Sequence, residues 1–171
     1  DESNFVSLSA TKPNLPVKMM ELLNQERGIE VARVATEGKD ADLSLGDMQL
    51  LPLIPDTPVI WSAGVNYRDY AAETGRGRQD ELMLFIRTNH GLVAHDDPII
   101  KPNISHMLDF EGELALIIGK HGRHIPQDNA FDYIAGFTGF NDGSVRDGQR
   151  HTIQFCPGKT LKGQAPLDLG W

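Results

Sequence analysis

The chain has 171 residues, of which 40% are hydrophobic and 23% are charged, and its formal net charge at pH 7 is −8. This acidic composition argues against nucleic acid or an anionic membrane surface as the main partner, since either would require a basic face. No run approaches the roughly 20 apolar residues that cross a bilayer, so we expect no membrane span and a cytoplasmic location. The single cysteine, Cys156, excludes an internal disulfide framework and a thiolate zinc site.

The first third of the chain is predicted to form a small α/β unit. A helix is predicted between residues 14 and 28, where an apolar stripe lies between a proline and a glycine. Residues 30–35 alternate as a strand does, and residues 48–54 form a short apolar strand. We therefore assign residues 1–55 to an N-terminal subdomain in which no chemistry is visible.

The next segments are predicted to be a strand, a short helix or turn, and a second strand. Residues 58–64 are apolar, as in a buried strand, and they continue directly into residues 65–75. The polar side chains of this second segment that could face a cleft are Asn66, Asp69 and Glu73. Residues 75–80 are rich in glycine and charge and predict a mobile loop or lid. Residues 82–86 form the next strand, with Arg87 at its end.

Three carboxylates alternate along the segment of residues 108–119: Asp109, Glu111 and Glu113. Alternate residues of a strand share a face and lie roughly 6.6 to 6.8 Å apart, so neighbouring carboxylates can converge on one cation. The spacing alone is also typical of the solvated face of an ordinary antiparallel strand. Against that interpretation, the same face continues into Ala115 and Ile117. The second half of the strand is apolar on both faces, which predicts burial on both sides.

The remaining segments are predicted to be mostly strands. Residues 93–102 are strand-like with a turn at residues 96–98, and residues 134–140 form a strand that delivers Asp142. Residues 125–133 suit the start and body of a helix. Because strands outnumber helices after residue 58, we predict an α+β, mainly β, catalytic domain over residues 56–171.

Glu111, Glu113 and Asp142 form a candidate metal site. Hard carboxylate oxygens, without paired histidines or a second cysteine, favour Mg²⁺, Mn²⁺ or Ca²⁺ over zinc or copper. Such a cation can chelate a 2-oxo acid through its carboxylate and carbonyl oxygens and lower the cost of forming an enolate. The sequence therefore predicts a small-molecule carboxylate as substrate.

Three basic residues are candidates for binding the carboxylates of such a substrate: Arg87, Arg146 and Lys159. Two of them also have a simpler interpretation, because Arg146 could pair with the adjacent Asp147 at the surface and Lys159 could be a solvated loop lysine. The segment around Lys159 lacks the Gly-x-x-x-x-Gly-Lys spacing of a phosphate-binding loop, which disfavours phosphoryl transfer.

Five motifs, in this order along the chain, resemble those of the fumarylacetoacetate hydrolase family: residues 64–69, 84–87, 109–114, 141–147 and 157–159. The resemblance extends from about residue 58 to residue 171. It is strongest to the branch of bacterial acylpyruvate hydrolases and 2-hydroxyhepta-2,4-diene-1,7-dioate isomerases. It implies a mixed β-sandwich roll, preceded by the small N-terminal subdomain and incomplete at its C-terminal end, and it implies a homodimer.

The resemblance also implies roles for individual residues. Mg²⁺ or Mn²⁺ is held by the counterparts of Glu111, Glu113 and Asp142, and the implied reactions on 2-oxo acids or acylpyruvates are carbon–carbon bond hydrolysis, decarboxylation and enol–keto isomerisation. Lys159 falls on the active-site lysine of the family. Glu73 falls on a glutamate that works with a histidine to activate water in related hydrolases. The candidate substrate contacts are Asn66, Tyr67, Arg87 and Arg146.

Tyr70 occupies the position where that partner histidine is expected. Tyrosine, with an ordinary pKa of about 10, is a poor general base at neutral pH. Decarboxylation and isomerisation need this base less than hydrolysis does, so Tyr70 argues slightly against hydrolysis while all three reactions stay open. The other hypothesis is a catalytically impaired family member that serves as a metal-binding or dimerisation module.

Overall fold

A computed structural model describes residues 4–73, 75 and 81–167. The helices in these ranges are α1 (Leu8–Thr11), α2 (Met19–Leu23), α3 (Gly28–Thr36), α4 (Arg68–Glu73), α5 (Arg146–Gln149) and α6 (Cys156–Lys159). The strands are β1 (Asn4–Phe5), β2 (Leu43–Ser44), β3 (Ile60–Gly64), β4 (Met83–Arg87), β5 (Leu92–Val93), β6 (Leu108–Asp109), β7 (Gly112–Ile118), β8 (Ile134–Asn141), β9 (Ser144–Val145) and β10 (Ala165–Pro166). None of these helices is long and apolar enough to cross a bilayer. The predicted lid lies, apart from Gly75, outside the described residues.

The N-terminal region is more helical than predicted. The prediction of a strand over residues 30–35 is wrong, because this segment lies within α3. Ala32 and Ala35 are both half-buried while Val34 is exposed, a three-residue spacing that a helix permits and an alternating strand does not. The chain turns sharply into α3 at Arg27, whose φ of 58° is left-handed, and this separates α3 from α2.

Two other N-terminal predictions also change. The helix predicted between residues 14 and 28 is confirmed only over α2. The strand predicted over residues 48–54 is wrong, because this segment is irregular in the structure. Its apolar character instead serves packing: Ile54 is buried, and Leu53 packs against the core described below.

β3 and β4 form an antiparallel pair whose register runs from Ile60 opposite Arg87 to Gly64 opposite Met83. Both strands are therefore confirmed, as is the short helix that follows the first of them, α4. Trp61 is 66% exposed, so β3 is not buried on both sides. The pair places Arg87 at one end and the turn into α4 at the other.

β7 and β8 form the longest antiparallel pair, with Glu113 opposite Phe140. The predicted burial of β7 on both faces is wrong: Leu114 is 59% exposed and Leu116 and Ile118 are also exposed, while the alternate residues are half-buried. The predicted strand of residues 108–119 is interrupted after Asp109, which belongs to β6 and pairs with β9 instead. Asp109 consequently lies on β6, whereas Glu111 lies in the short segment between β6 and β7.

Two further predictions are confirmed only in part. Of the strand predicted over residues 93–102 only Val93 belongs to a strand, β5, while the turn predicted at residues 96–98 is found at residues 95 and 96, where Asp96 has a φ of 63°. The helix predicted over residues 125–133 is a 3₁₀-helix, Gln127–Tyr133.

β5 pairs in parallel with β10, and the small buried core forms where β10 meets β8. The residues of this core are Phe140, Ala165 and Leu167, with Leu53, Leu92 and Ala115 packed against them.

Candidate active site

One cavity of about 620 Å³ brings together nine of the ten predicted site residues. They are Asn66, Tyr67, Tyr70, Glu73, Glu111, Glu113, Asp142, Arg146 and Lys159. The tenth, Arg87, does not line the cavity and lies behind Asp142 with a fully buried side chain. Asp109 is also outside the lining and lies beside Arg146.

Backbone hydrogen bonds just before β7 and just after β8 fix the positions of Glu111 and Asp142. The Asp142 N–H donates to the Glu111 carbonyl at 2.8 Å, and the Glu111 N–H donates to Oδ1 of Asn141 at 3.0 Å. Because these bonds join the two segments directly, the Glu111 and Asp142 side chains enter the cavity next to each other.

Asp142 is 4% exposed, and a different cation contacts each of its carboxylate oxygens. Arg87 donates to Oδ1, and Lys159 donates to Oδ2 at 2.5 Å. The Arg87 guanidinium also donates to the Gly143 carbonyl at 3.1 Å. Burial lowers the pKa of Arg87, and the negative charge of Asp142 raises it, which opposes the effect of burial. A buried carboxylate held on both oxygens has little freedom to rotate.

Lys159 is 1% exposed, so the interpretation as a solvated loop lysine is wrong. Its Nζ donates to Glu111 as well as to Asp142 and lies 5.2 Å from the centre of the Phe85 ring. The lysine ends α6, which packs tightly on α5: a Cβ added to Gly158 would lie 2.2 Å from the Gln149 backbone nitrogen. This close approach brings the lysine to the two carboxylates.

Arg146 binds carboxylates other than its neighbour Asp147. Its Nε donates to Oδ2 of Asp109 at 2.9 Å, and its Nη1 donates to Glu111. The surface pair with Asp147 is therefore wrong, and Asp147 accepts from the Ser105 hydroxyl at 2.7 Å. Burial lowers the pKa of Arg146, but its carboxylate partners raise it by more, so the net shift is upward.

Gln149 lines the cavity but was missed by the sequence analysis. It is buried, and its Oε1 accepts from Nη1 of Arg146 at 3.0 Å. Its position three residues after Arg146, on the same face of a helical turn, is the signal that could have identified it. Three aromatic residues in the lining were also missed: Phe85, Phe110 and Phe155.

Glu113 accepts a hydrogen bond from the Tyr67 hydroxyl. Burial raises the pKa of Glu113, the Tyr67 hydroxyl lowers it, and the negative charges of Asp142 and Glu111 raise it further. Burial likewise raises the pKa of Tyr67, and its hydrogen bond to Glu113 adds to that shift. Glu113 is therefore close enough to Glu111 and Asp142 to be repelled by their negative charges.

Glu111, Glu113 and Asp142 present only oxygen donors, the donor type that Mg²⁺ and Mn²⁺ prefer. As the side chains stand, no three acidic, histidine or cysteine groups among the described residues are close enough to hold a metal ion together. Lys159 and Arg146 hold two of the carboxylates instead. The donor chemistry thus fits a hard divalent cation, which would compete with these two basic side chains.

Buried and paired carboxylates and cations around one cavity are typical of enzyme active sites, and a comparison with known families identifies the family of this chain. Residues 59–168 match the family model described as fumarylacetoacetate (FAA) hydrolase C-terminal. The chain belongs to the fumarylacetoacetate hydrolase family.

Among curated relatives, the mitochondrial oxaloacetate tautomerase fahd2 of Xenopus laevis is 34% identical over 170 residues, which are 98% of this chain and 53% of that protein. The human mitochondrial oxaloacetate tautomerase FAHD2A is 33% identical, over 95% of this chain and 52% of its own length. The chain thus spans about half the length of these relatives.

Solved structures confirm the predicted mixed α+β fold of this family. A Mycobacterium smegmatis protein assigned as HpcE superposes with a TM-score of 0.80 over 98% of this chain and 60% of its own, and its 20% identity makes it evidence of fold alone. The 2-hydroxyhepta-2,4-diene-1,7-dioate isomerase of Mycobacterium marinum is 28% identical, with a TM-score of 0.64, over 77% of this chain and 47% of its own. The domain boundary near residue 55 stays a prediction.

Proposed function

We propose that the chain supplies the metal-binding and substrate-binding part of an enzyme that interconverts the enol and keto forms of a small 2-oxo acid. The observation that carries the proposal is the cluster of Glu111, Asp142 and Lys159 at the inner end of a substrate-sized cavity. The names of the relatives support it, since they include an oxaloacetate tautomerase and an isomerase of a 2-oxo acid tautomer.

The inner end of the cavity would bind the carboxylate and oxygen of the 2-oxo acid. Glu111, Glu113 and Asp142 would hold Mg²⁺ or Mn²⁺, whose chemistry is Lewis-acid stabilisation of negative charge on oxygen. Arg146, held by Gln149, would bind the substrate carboxylate through Nη1, the nitrogen that donates to Glu111 in the structure. The ammonium group of Lys159 would stabilise the enolate oxygen by a charge-assisted hydrogen bond.

Tautomerisation moves one proton between the substrate oxygen and the adjacent carbon, and it needs no attacking water. Glu73 also lines the cavity and is our candidate for the group that carries the proton at carbon. Tyr70 lies on the same helix, where its hydroxyl can orient the substrate without acting as a base. Hydrolysis would need an activated water at this position, which is why isomerisation suits these residues better.

The second candidate function is a catalytically inactive family member that acts as a metal-binding or dimerisation module. Tyr70 in place of a basic histidine favours it, and so does the exposed apolar face of β7, formed by Leu114, Leu116 and Ile118. A homodimer is compatible with both functions, because a second copy could cover that face without blocking the cavity.

The decisive experiment follows the ketonisation of enol-oxaloacetate by its ultraviolet absorbance, with and without added Mn²⁺. We expect enzyme-like turnover that depends on Mn²⁺ and is lost in E113Q, while the exposed control variant E37Q keeps it. Metal-dependent turnover that is unchanged in E113Q would contradict the metal site. If oxaloacetate, acylpyruvates and muconate-type diacids all fail to react, the inactive module is the better description.

A further inference from the structure

Arg150 lies at the rim of the cavity, one helical turn beyond Arg146. Its backbone N–H donates to the Arg146 carbonyl at 3.1 Å, so it continues the turn of α5. Residues four apart in a helix are neighbours on one face. The two guanidinium groups therefore belong to the same wall, with Arg146 buried within the cavity and Arg150 exposed at its mouth.

The other cations near the cavity already have carboxylate partners. Arg146 binds Asp109 and Glu111, and Lys159 binds Glu111 and Asp142. The Arg150 side chain makes no hydrogen bond or ion pair with any residue in the described part of the chain, although its positive charge contributes to lowering the pKa of Asp109. Its guanidinium donors are therefore accessible to a ligand in the cavity.

We propose that Arg150 is a specificity residue that binds the second, remote carboxylate of a dicarboxylic 2-oxo acid. The first carboxylate and the 2-oxo group occupy the inner end, beside Arg146 and Lys159. Arginine suits this role because its planar donors match a carboxylate in a bidentate manner. The inference rests on the proposed function and adds to it the residue that would distinguish dicarboxylic from monocarboxylic 2-oxo acids.

The test compares two acids of equal chain length, 2-oxoglutarate and 2-oxopentanoate, which differ in the remote carboxylate. Each is titrated calorimetrically into the Mn²⁺-supplemented protein, its R150Q and R150K variants, and R123Q as an exposed arginine control outside the cavity lining. We expect R150Q to weaken 2-oxoglutarate binding by about tenfold, the size of a solvent-exposed charge-assisted contact, and to leave 2-oxopentanoate unchanged. R150K should retain part of the preference and R123Q all of it.

Different results of this titration would overturn the role of Arg150 and the proposed function. If R150Q weakens both acids equally, or neither, Arg150 does not select the dicarboxylic acid and only this inference is overturned. If the wild-type protein binds neither acid, the proposed function is overturned with it. Equal thermal melting of R150Q and the wild type would confirm that the loss arises from the ligand contact rather than from the fold.

Discussion

The two walls of the cavity differ in how they are held. On the inner wall, Asp142 and Lys159 are almost fully buried, as is Arg87 behind them, and each charge has at least one opposite charge in contact. On the outer wall, Tyr67 is 48% exposed and Tyr70 is 37% exposed. Burying a charge without a partner is costly, so the inner wall keeps its geometry before any ligand arrives. The outer wall can respond to the ligand, and we expect specificity to be easier to change there.

Removing the central cation of the inner wall should have the largest effect. K159M leaves Glu111 and Asp142 without their shared partner, and we expect turnover to fall by at least about 10² and the protein to lose about 3–5 kcal/mol of stability. Stopped-flow ketonisation assays and urea unfolding measure the two effects. The control K162M removes an exposed lysine three residues away and should change neither. Near-normal turnover in K159M would contradict the central role of this lysine.

Substitutions of Arg87 test whether the cation behind Asp142 stabilises the protein independently of Lys159. R87M leaves Asp142 with one cation, and we expect a loss of about 3–5 kcal/mol in the free energy of unfolding because a buried ion pair is broken. R87K keeps the charge but loses the paired contacts to Asp142 and the Gly143 carbonyl, so it should recover only part of that loss. Equal stability of R87M and the wild type would show that Lys159 alone holds Asp142.

A substitution on the outer wall should change the reaction rather than the stability. Y70H places a base with an ordinary pKa of about 6.5 on α4, three residues before Glu73. We expect acylpyruvate hydrolysis to rise by at least about tenfold, since a positioned base contributes roughly 10² to 10⁴, while ketonisation stays close to the wild-type rate. Y70F is the matched control and should gain no hydrolysis. Without a gain in Y70H, the missing histidine does not limit hydrolysis.

The smallest effect is expected at Asp147, outside both walls. The Ser105 hydroxyl lowers the pKa of Asp147, so the ionised carboxylate stabilises the fold above the ordinary pKa of about 3.9, and this contribution disappears as the pH falls through the lowered value. S105A should therefore raise the pKa of Asp147 in an NMR titration. The stability difference between S105A and wild type should shrink on acidification. A pKa of Asp147 that does not move in S105A would rule out this coupling.

The residues that form the candidate site could be predicted from the sequence, but most of the contacts between them could not. Glu111, Glu113, Asp142 and Lys159 lie in short motifs, so their meeting in one cavity could be predicted from the family resemblance. The position of Arg87 behind Asp142 could not, because the sequence places it at the end of a strand without saying which way it points. Residue roles in catalysis and metal binding stay predictions.

The fold could be predicted from the sequence only where the hydrophobic periodicity agreed with the strand pairing of the structure. β3, β4 and β8 have apolar runs of strand length and are confirmed. α3 was mistaken for a strand because its apolar residues also alternate over a short window, and only the hydrogen bonding of the whole segment decides between the two. The exposed face of β7 could not be foreseen either, because apolar residues indicate a covered surface without saying what covers it.

The tight packing at Gly158 has an evolutionary consequence. A Cβ there would also lie 2.5 Å from the Val145 carbonyl oxygen, so every other amino acid would push α6, and Lys159 with it, away from the two carboxylates. Selection for the proposed activity would therefore act on Gly158 because of its small size, although it has no side chain that could contact a ligand. In a library of random variants, replacements at this position should be lost together with replacements of the lysine beside it.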